Sequence, residues 1–176
     1  MTLEALQIAT PMHEAAQKLL LVFPFVVFTS GRRGLRAQAE AMAHNILAPP
    51  MNRDWIRQTY RRAAELQTWV DTNPAVMDPE EMADGLEAVL VSMGDDANKV
   101  SDHLVGMAVD LKPLERLIVN VDLSKVWVET EQGRQVIEWI RAYHGTKYFT
   151  TREGGRRRWH WACQPSPAEV TISRSA

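Results

Sequence analysis

Apolar residues recur at helical spacing through the first half of the chain, and short apolar runs replace that spacing towards its end. The spacing predicts helices over about residues 10–20, 35–46, 56–70 and 79–93. Pro11 and Pro79 lie at the starts of the helices at 10–20 and 79–93, and Pro49-Pro50 follows the helix at 35–46, in agreement with these bounds. The first half of the chain is therefore predicted to be mainly helical.

The apolar runs nearer the end are typical of strands. The predicted strands cover residues 26–28, 107–111, 147–152 and 156–164, and the last two form a hairpin. A further amphipathic helix is predicted over about 136–143. This order of elements predicts an α+β fold, in which helices cover one side of a small antiparallel sheet.

Composition and charge narrow the class of protein. The 176 residues, 45% of them hydrophobic, suit a single globular domain over 1–176, with a short flexible tail expected from about residue 165. A net charge of −2 offers no field that would attract nucleic acid. The most apolar stretch, 19–28, is short and contains Pro24, so we expect neither a membrane span nor a signal peptide. One cysteine, Cys163, excludes an internal disulfide, and the fold must depend on its core or on a metal.

The segment from Ser101 to Asp110 contains the clearest candidate metal ligands in the sequence. His103 and Asp110 flank a glycine turn that enters an apolar strand, so both side chains can face one metal ion. His160 lies in a predicted strand between Trp159 and Trp161 and supplies a third donor. Two histidines and one aspartate are a ligand set that zinc accepts, with the fourth position left to water.

These residues resemble a known family, the zinc D-Ala-D-Ala carboxypeptidases and L-alanyl-D-glutamate endopeptidases, which share a fold with the hedgehog signalling domain. The family motif S-x-H-x-x-G-x-A-x-D is matched at all of its fixed positions, which are Ser101, His103, Gly106, Ala108 and Asp110. An earlier family stretch, S-G-x-R-S-x-x-x-Q, is matched by Ser30, Gly31, Arg33 and Gln38, with Gly34 in place of the second serine.

The resemblance implies one catalytic zinc ion held by His103, Asp110 and His160. The implied substrate is the peptide stem of peptidoglycan, cut either at its D-Ala-D-Ala end or between L-Ala and D-Glu. Arg33 would then stabilise the polarised carbonyl oxygen or bind the substrate carboxylate. Further support for the ligands or the substrate is expected from five residues: Ser101, Ser30, Gln38, Trp159 and Trp161. The helical region at about 51–98 resembles an insertion between the family motifs.

One position departs from the family pattern. Most members place a catalytic glutamate three residues before the last histidine, and this chain has Arg157 there. An arginine stays protonated and cannot accept the proton of the attacking water. Glu153 is the nearest upstream carboxylate and the candidate base. In a regular strand its side chain would lie on the other face from His160, and a bulge at Gly154-Gly155 could reverse that. Other carboxylates remain alternatives: Glu129, Glu131 and Glu138.

The loss of that glutamate keeps a second function open. The chain could be a zinc-binding structural or wall-recognition protein, for example a component of a phage particle, in which the metal stabilises the fold without catalysis. A third reading is a helical interaction protein whose motif match is accidental. Without an export signal, a wall-cutting enzyme would be made in the cytoplasm and reach its substrate through a phage lysis or virion route.

Overall fold

A computed structural model describes residues 2–154 and 156–165, so most of the expected tail lies outside the described residues. The described chain divides into two compact units. The helical unit is Arg32–Gly106, and the sheet unit combines the residues before Arg32 with those from Met107 onwards. The expectation of one domain with an insertion at 51–98 stays a prediction; the helical unit is longer than that range at both ends.

The sheet unit contains a 3₁₀ turn at Glu4–Leu6, two α-helices and all of the described strands. The α-helices and strands are α1 (Thr10–Val22), β1 (Phe28–Ser30), β2 (Ala108–Leu111), β3 (Glu115–Val119), β4 (Lys125–Glu129), α6 (Glu131–Ala142), β5 (Thr146–Glu153) and β6 (Arg156–Cys163). Strands β1, β2, β6 and β5 form an antiparallel sheet in that order, and β3 with β4 forms a separate two-stranded sheet. The predicted α+β class is confirmed.

Alternation along β2 places its core residues and its candidate metal ligand on opposite faces of the sheet. Val109 and Leu111 belong to the core cluster, which also contains apolar residues of α1 and α6 and the indoles of Trp159 and Trp161. Since side chains alternate along a strand, Asp110 lies on the other face of the sheet. The helices therefore cover one face, and Asp110, the polar residue of β2, lies on the opposite one.

Cys163, at the end of β6, belongs to this core. Burial raises the pKa of its thiol to about 12, so the side chain is protonated near neutral pH. It packs as a small apolar residue.

The helical unit contains α2 (Leu35–Leu47), α3 (Trp55–Thr59), α4 (Ala64–Thr72) and α5 (Pro79–Ser92), together with a 3₁₀ turn at Gly94–Lys99. These helices surround a second core cluster. Among the residues that the structure describes, none of the helices combines the length and apolar composition needed to cross a bilayer.

The prediction of one long helix over 56–70 is wrong, because the chain turns between α3 and α4. The buried side chain of Gln67 stabilises this turn: its Oε1 accepts from the Arg57 backbone N–H at 3.0 Å, and its Nε2 donates to the Arg53 carbonyl at 3.0 Å. The Arg53 guanidinium in turn donates to the carbonyls of Val70 and Asn73 near the end of α4. Side chains here satisfy backbone N–H and C=O groups at or just beyond the ends of α3 and α4, where the helices themselves offer no partner.

Gly85 is required where α5 packs against α4, because a Cβ built on it would overlap the indole of Trp69. We expect Gly85→Ala to lower the free energy of unfolding by about 1–2 kcal/mol, although alanine is the better helix former by about 1 kcal/mol. Urea unfolding followed by circular dichroism measures this. In a Trp69→Phe background the loss should be smaller, since phenylalanine lacks the fused ring; a stabilised Gly85→Ala protein would contradict the packing argument.

Candidate metal centre

A row of polar residues crosses the four-stranded sheet. Strand pairing places Ser30 beside Asp110, Asp110 beside His160, and His160 beside Thr150. Oδ1 of Asp110 lies 3.0 Å from Nδ1 of His160. Both side chains are buried, at 3% and 2% exposure. The register of β2 and β6 therefore joins two of the predicted ligands directly.

The turn that precedes β2 carries His103, which is 2% exposed. The His103 N–H donates to Oγ of Ser101 at 3.4 Å, and the His103 carbonyl accepts from the Gly106 N–H at 3.2 Å. Gly106 has a φ of 73°, a conformation that favours glycine. The same carbonyl accepts from the Arg33 N–H at 3.1 Å, so the two sequence motifs are hydrogen-bonded to each other.

The predicted ligands lie together. One candidate ligand atom from each of His103, Asp110 and His160 lies within 4.8 Å of the other two, and all three residues are buried. This group can hold a metal ion. Imidazole nitrogens and a carboxylate oxygen are the ligands that zinc takes in catalytic sites, and the donor set fits that metal.

Glu153 reaches the same histidine. Its Oε1 lies 3.6 Å from Nδ1 of His160, and its side chain is 10% exposed. Alternation along a regular hairpin had argued against this approach, but the pairing of β5 with β6 shifts by one residue between Thr150 and Arg152. The Thr150 hydroxyl shapes the shift by accepting from the Arg152 N–H at 3.1 Å and donating to the Arg152 carbonyl at 2.6 Å. The irregularity is thus earlier than the expected position at Gly154-Gly155.

Two residues beside the centre were missed by sequence reasoning. Nη1 of Arg158 donates to Oε2 of Glu153 at 3.3 Å. The Tyr148 ring stacks on the His160 ring, with centroids 5.2 Å apart and planes at 28°. Tyr148 could have been found from its place two residues before Thr150 on the predicted strand, whereas the Arg158 contact depends on the register shift.

Arg157, which stands where the family has its glutamate, belongs to a different cluster. Its Nε donates to Oε2 of Glu115 at 2.7 Å, and its guanidinium lies 3.5 Å from the centroid of the Trp127 ring. Oε1 of Glu115 accepts from Arg152 at 2.8 Å and from the Trp159 indole at 3.3 Å. These bonds attach the β3–β4 hairpin to the last two strands.

The Glu115 side chain has no exposed surface, so its charge depends on these partners. Burial alone raises the pKa of this carboxyl, but the hydrogen bonds from Arg152, Arg157 and Trp159 outweigh it, and the pKa lies below its usual value. Glu115 therefore stays ionised. Sequence reasoning missed it because its partners lie about forty residues away.

The remaining predicted residues lie in several places. Trp159 and Trp161 are fully buried in the core of the sheet unit, and the Trp161 indole donates to Thr146 at 3.0 Å. Gln38 is buried in the helical unit, where its amide donates to the Tyr60 hydroxyl at 3.0 Å. Their predicted parts in supporting ligands or substrate stay predictions.

The alternative carboxylates belong to β4 and α6. Glu129 ends β4, Glu131 pairs with Arg134 in the first turn of α6, and Glu138 is exposed on that helix. Of these candidates and Glu153, it is Glu153 for which the described residues record a contact with His160.

Comparison with protein-family models, with curated proteins and with solved structures finds no match to this chain.

We expect the purified chain to bind one zinc ion, and His103→Ala, Asp110→Ala and His160→Ala each to weaken zinc binding at least about 100-fold, since each removes a donor. Elemental analysis and competition with a chromogenic chelator measure stoichiometry and affinity. His44→Ala, which removes an exposed helical histidine, is the matched control and should bind normally. Full zinc binding by all three variants would contradict the assignment.

The lowered pKa of Glu115 makes part of the stability depend on pH. A carboxylate with a lowered folded-state pKa stabilises the protein above its ordinary pKa, near 4.5, and loses that contribution as the pH falls through the folded-state value. Glu115→Gln should cost about 1–3 kcal/mol at pH 7 and less in acid. Urea unfolding at pH 7 and at about pH 3.5 measures both, with Glu138→Gln as the exposed control. Equal losses at the two pH values would refute the charge argument.

Proposed function

We propose that this protein is a zinc-dependent peptidase that hydrolyses peptide bonds in the stem peptide of peptidoglycan. The observation that carries the proposal is the convergence of His103, Asp110 and His160 within 4.8 Å, in a chain whose sequence around two of them matches a peptidase motif at every fixed position. The substrate class rests on the resemblance of those motifs to the D-Ala-D-Ala carboxypeptidases and L-alanyl-D-glutamate endopeptidases.

The chemistry requires a Lewis acid and a base. A zinc ion held by the three residues would polarise the peptide carbonyl and activate water. Glu153 is proposed as the group that takes the proton of the attacking water and passes it to the leaving amine. Support comes from its 3.6 Å approach to His160 and from the hydrogen bond that Arg158 donates to its other oxygen.

Arg33 is proposed to bind the substrate. Its guanidinium is permanently charged and can stabilise a polarised carbonyl oxygen or pair with a carboxylate. The backbone bond between Arg33 and His103 supports this role, because it keeps the arginine segment next to one of the ligand segments.

A zinc-binding structural or wall-recognition protein without turnover is the second candidate, and one observation favours it. Arg157 stands in place of the usual glutamate and is bound to Glu115, so it supplies no base. In that case the metal would stabilise the fold, and Glu153 would have no proton to transfer.

Digestion of purified peptidoglycan, followed by mass spectrometry of the released products, tests the activity. Loss of one D-Ala from the pentapeptide indicates a carboxypeptidase, whereas release of the stem from L-Ala indicates the endopeptidase. We expect His103→Ala to abolish release, and Glu153→Gln to lower kcat by about 10²–10⁴-fold while zinc stays bound. Glu14→Gln, which changes an exposed carboxylate on α1, is the matched control.

The outcomes separate the alternatives. Stoichiometric zinc without any release by the native chain would favour the structural candidate. Full turnover by Glu153→Gln, together with loss in His103→Ala, would support the peptidase and leave Glu129, Glu131 and Glu138 as the candidates for the base.

A further inference from the structure

Among residues 2–154 and 156–165, β3 is the only strand that pairs with β4, and the outer edge of β4 has no strand beside it. Strands β3 and β4 form a sheet of two, paired without irregularity from Glu115↔Glu129 to Val119↔Lys125. An isolated two-stranded sheet is marginally stable in water, and unprotected edges tend to pair with another strand. Proteins block such edges with proline, a bulge or charged side chains; β4 contains no proline or bulge, and its two charged residues, Lys125 and Glu129, have opposite signs.

The hydrogen bonds of the hairpin show which backbone groups face outwards. The Thr130 N–H donates to the Leu114 carbonyl and the Asn120 N–H donates to the Ser124 carbonyl, both at 2.9 Å. Bonded and non-bonded pairs alternate along an antiparallel ladder, so the bonded residues of β4 are Val126 and Val128. The N–H and C=O groups that face outwards are consequently those of Lys125, Trp127 and Glu129.

The sequence of this edge complements itself. Read in opposite directions about Trp127, the segment Lys125-Val126-Trp127-Val128-Glu129 places Lys125 opposite Glu129, Val126 opposite Val128 and Trp127 opposite its own copy. This is also the register in which the outward N–H and C=O groups of both strands meet. Opposite charges and apolar pairs directly across an antiparallel ladder stabilise it.

We infer that two copies of this chain associate through antiparallel pairing of their β4 strands about Trp127. The contact is isologous, with the same edge used by both copies around a two-fold axis. It turns two separate hairpins into one four-stranded sheet and covers apolar surface, because Val126 and Trp127 are 44% and 40% exposed in the single chain.

The outer edge of β3 fits a second copy less well. Pairing β3 with itself about Leu117 would place Glu115 opposite Val119, without a charge pair, and the Glu115 side chain is already bound by Arg152 and Arg157. On β4, one existing contact would be released, since Arg134 donates to the Glu129 carbonyl at 3.4 Å. A bond of that length is weak and opposes the pairing little.

Charge reversal tests the register. The native full-length chain should show about twice its single-chain mass by light scattering at about 0.1 mM, and dissociate on dilution. Lys125→Glu and Glu129→Lys each place like charges opposite one another at both ends of the contact, so each should weaken dimerisation by about 10- to 100-fold. Glu138→Lys makes the same charge change as Glu129→Lys on the exposed face of α6 and should leave the dimer unchanged.

Mixing the two variants distinguishes a specific register from misfolding. Lys125→Glu in one copy complements Glu129→Lys in the other, so an equimolar mixture should recover a 1:1 heterodimer of the native mass. The doubly exchanged chain, K125E/E129K, should form a homodimer again. Circular dichroism checks that each single variant keeps its fold.

Hydrogen exchange locates the contact. The amides of Lys125, Trp127 and Glu129 should gain protection as the concentration rises, while those of Val126 and Val128 are protected at every concentration. A light-scattering mass equal to that of the monomer at about 0.1 mM would overturn the inference. So would a dimer that both reversals leave intact, or a mixture of folded variants that stays monomeric.

Discussion

The antiparallel pairing of β2 with β6 is the constraint on which the candidate centre depends. It brings Asp110 and His160, fifty residues apart, into direct contact. A slip of one residue would turn every side chain of β2 to the other face and place Asp110 in the core. The burial of Val109 and Leu111 against Trp159 and Trp161 makes that slip costly, so apolar packing on one face determines the polar geometry on the other.

Two neighbouring arginines of β6, Arg157 and Arg158, contact different parts of the protein. Arg157 stacks on Trp127 and pairs with the buried Glu115, which attaches the β3–β4 hairpin. Arg158 pairs with Glu153 beside His160. A regular hairpin would not have brought Glu153 to that histidine, and the register shift at Thr150 therefore matters as much to the candidate site as the identity of the carboxylate.

The hairpin shows why some elements escape prediction. Apolar and polar residues alternate only weakly through 115–129, and several of its apolar side chains remain exposed, including Leu117 and Val126. Alternation of apolar and polar residues reveals a strand when one face of it is buried, and little of either face of this two-stranded sheet is buried. Its anchor is a carboxylate bound by arginines from β5 and β6, which is a contact between distant segments and leaves no local pattern. The break between α3 and α4 escaped for the same reason, because the Gln67 side chain joins the two helices through bonds to Arg57 and Arg53 that leave no periodic pattern.

By itself the sequence determined the α+β class, the bounds of α1, α2 and α5 and the terminal hairpin, since these follow from periodicity and from proline and glycine positions. It also identified His103, Asp110 and His160 as a candidate metal-binding group, because a motif of fixed spacing contains the first two and His160 lies in a predicted strand between Trp159 and Trp161. Only the tertiary structure decided which carboxylate lies near His160, which residues Arg157 contacts, and that β3 and β4 form a sheet of their own among the described residues. These depend on strand register and on one irregular pairing, and a shift of one residue changes them without changing the local sequence pattern.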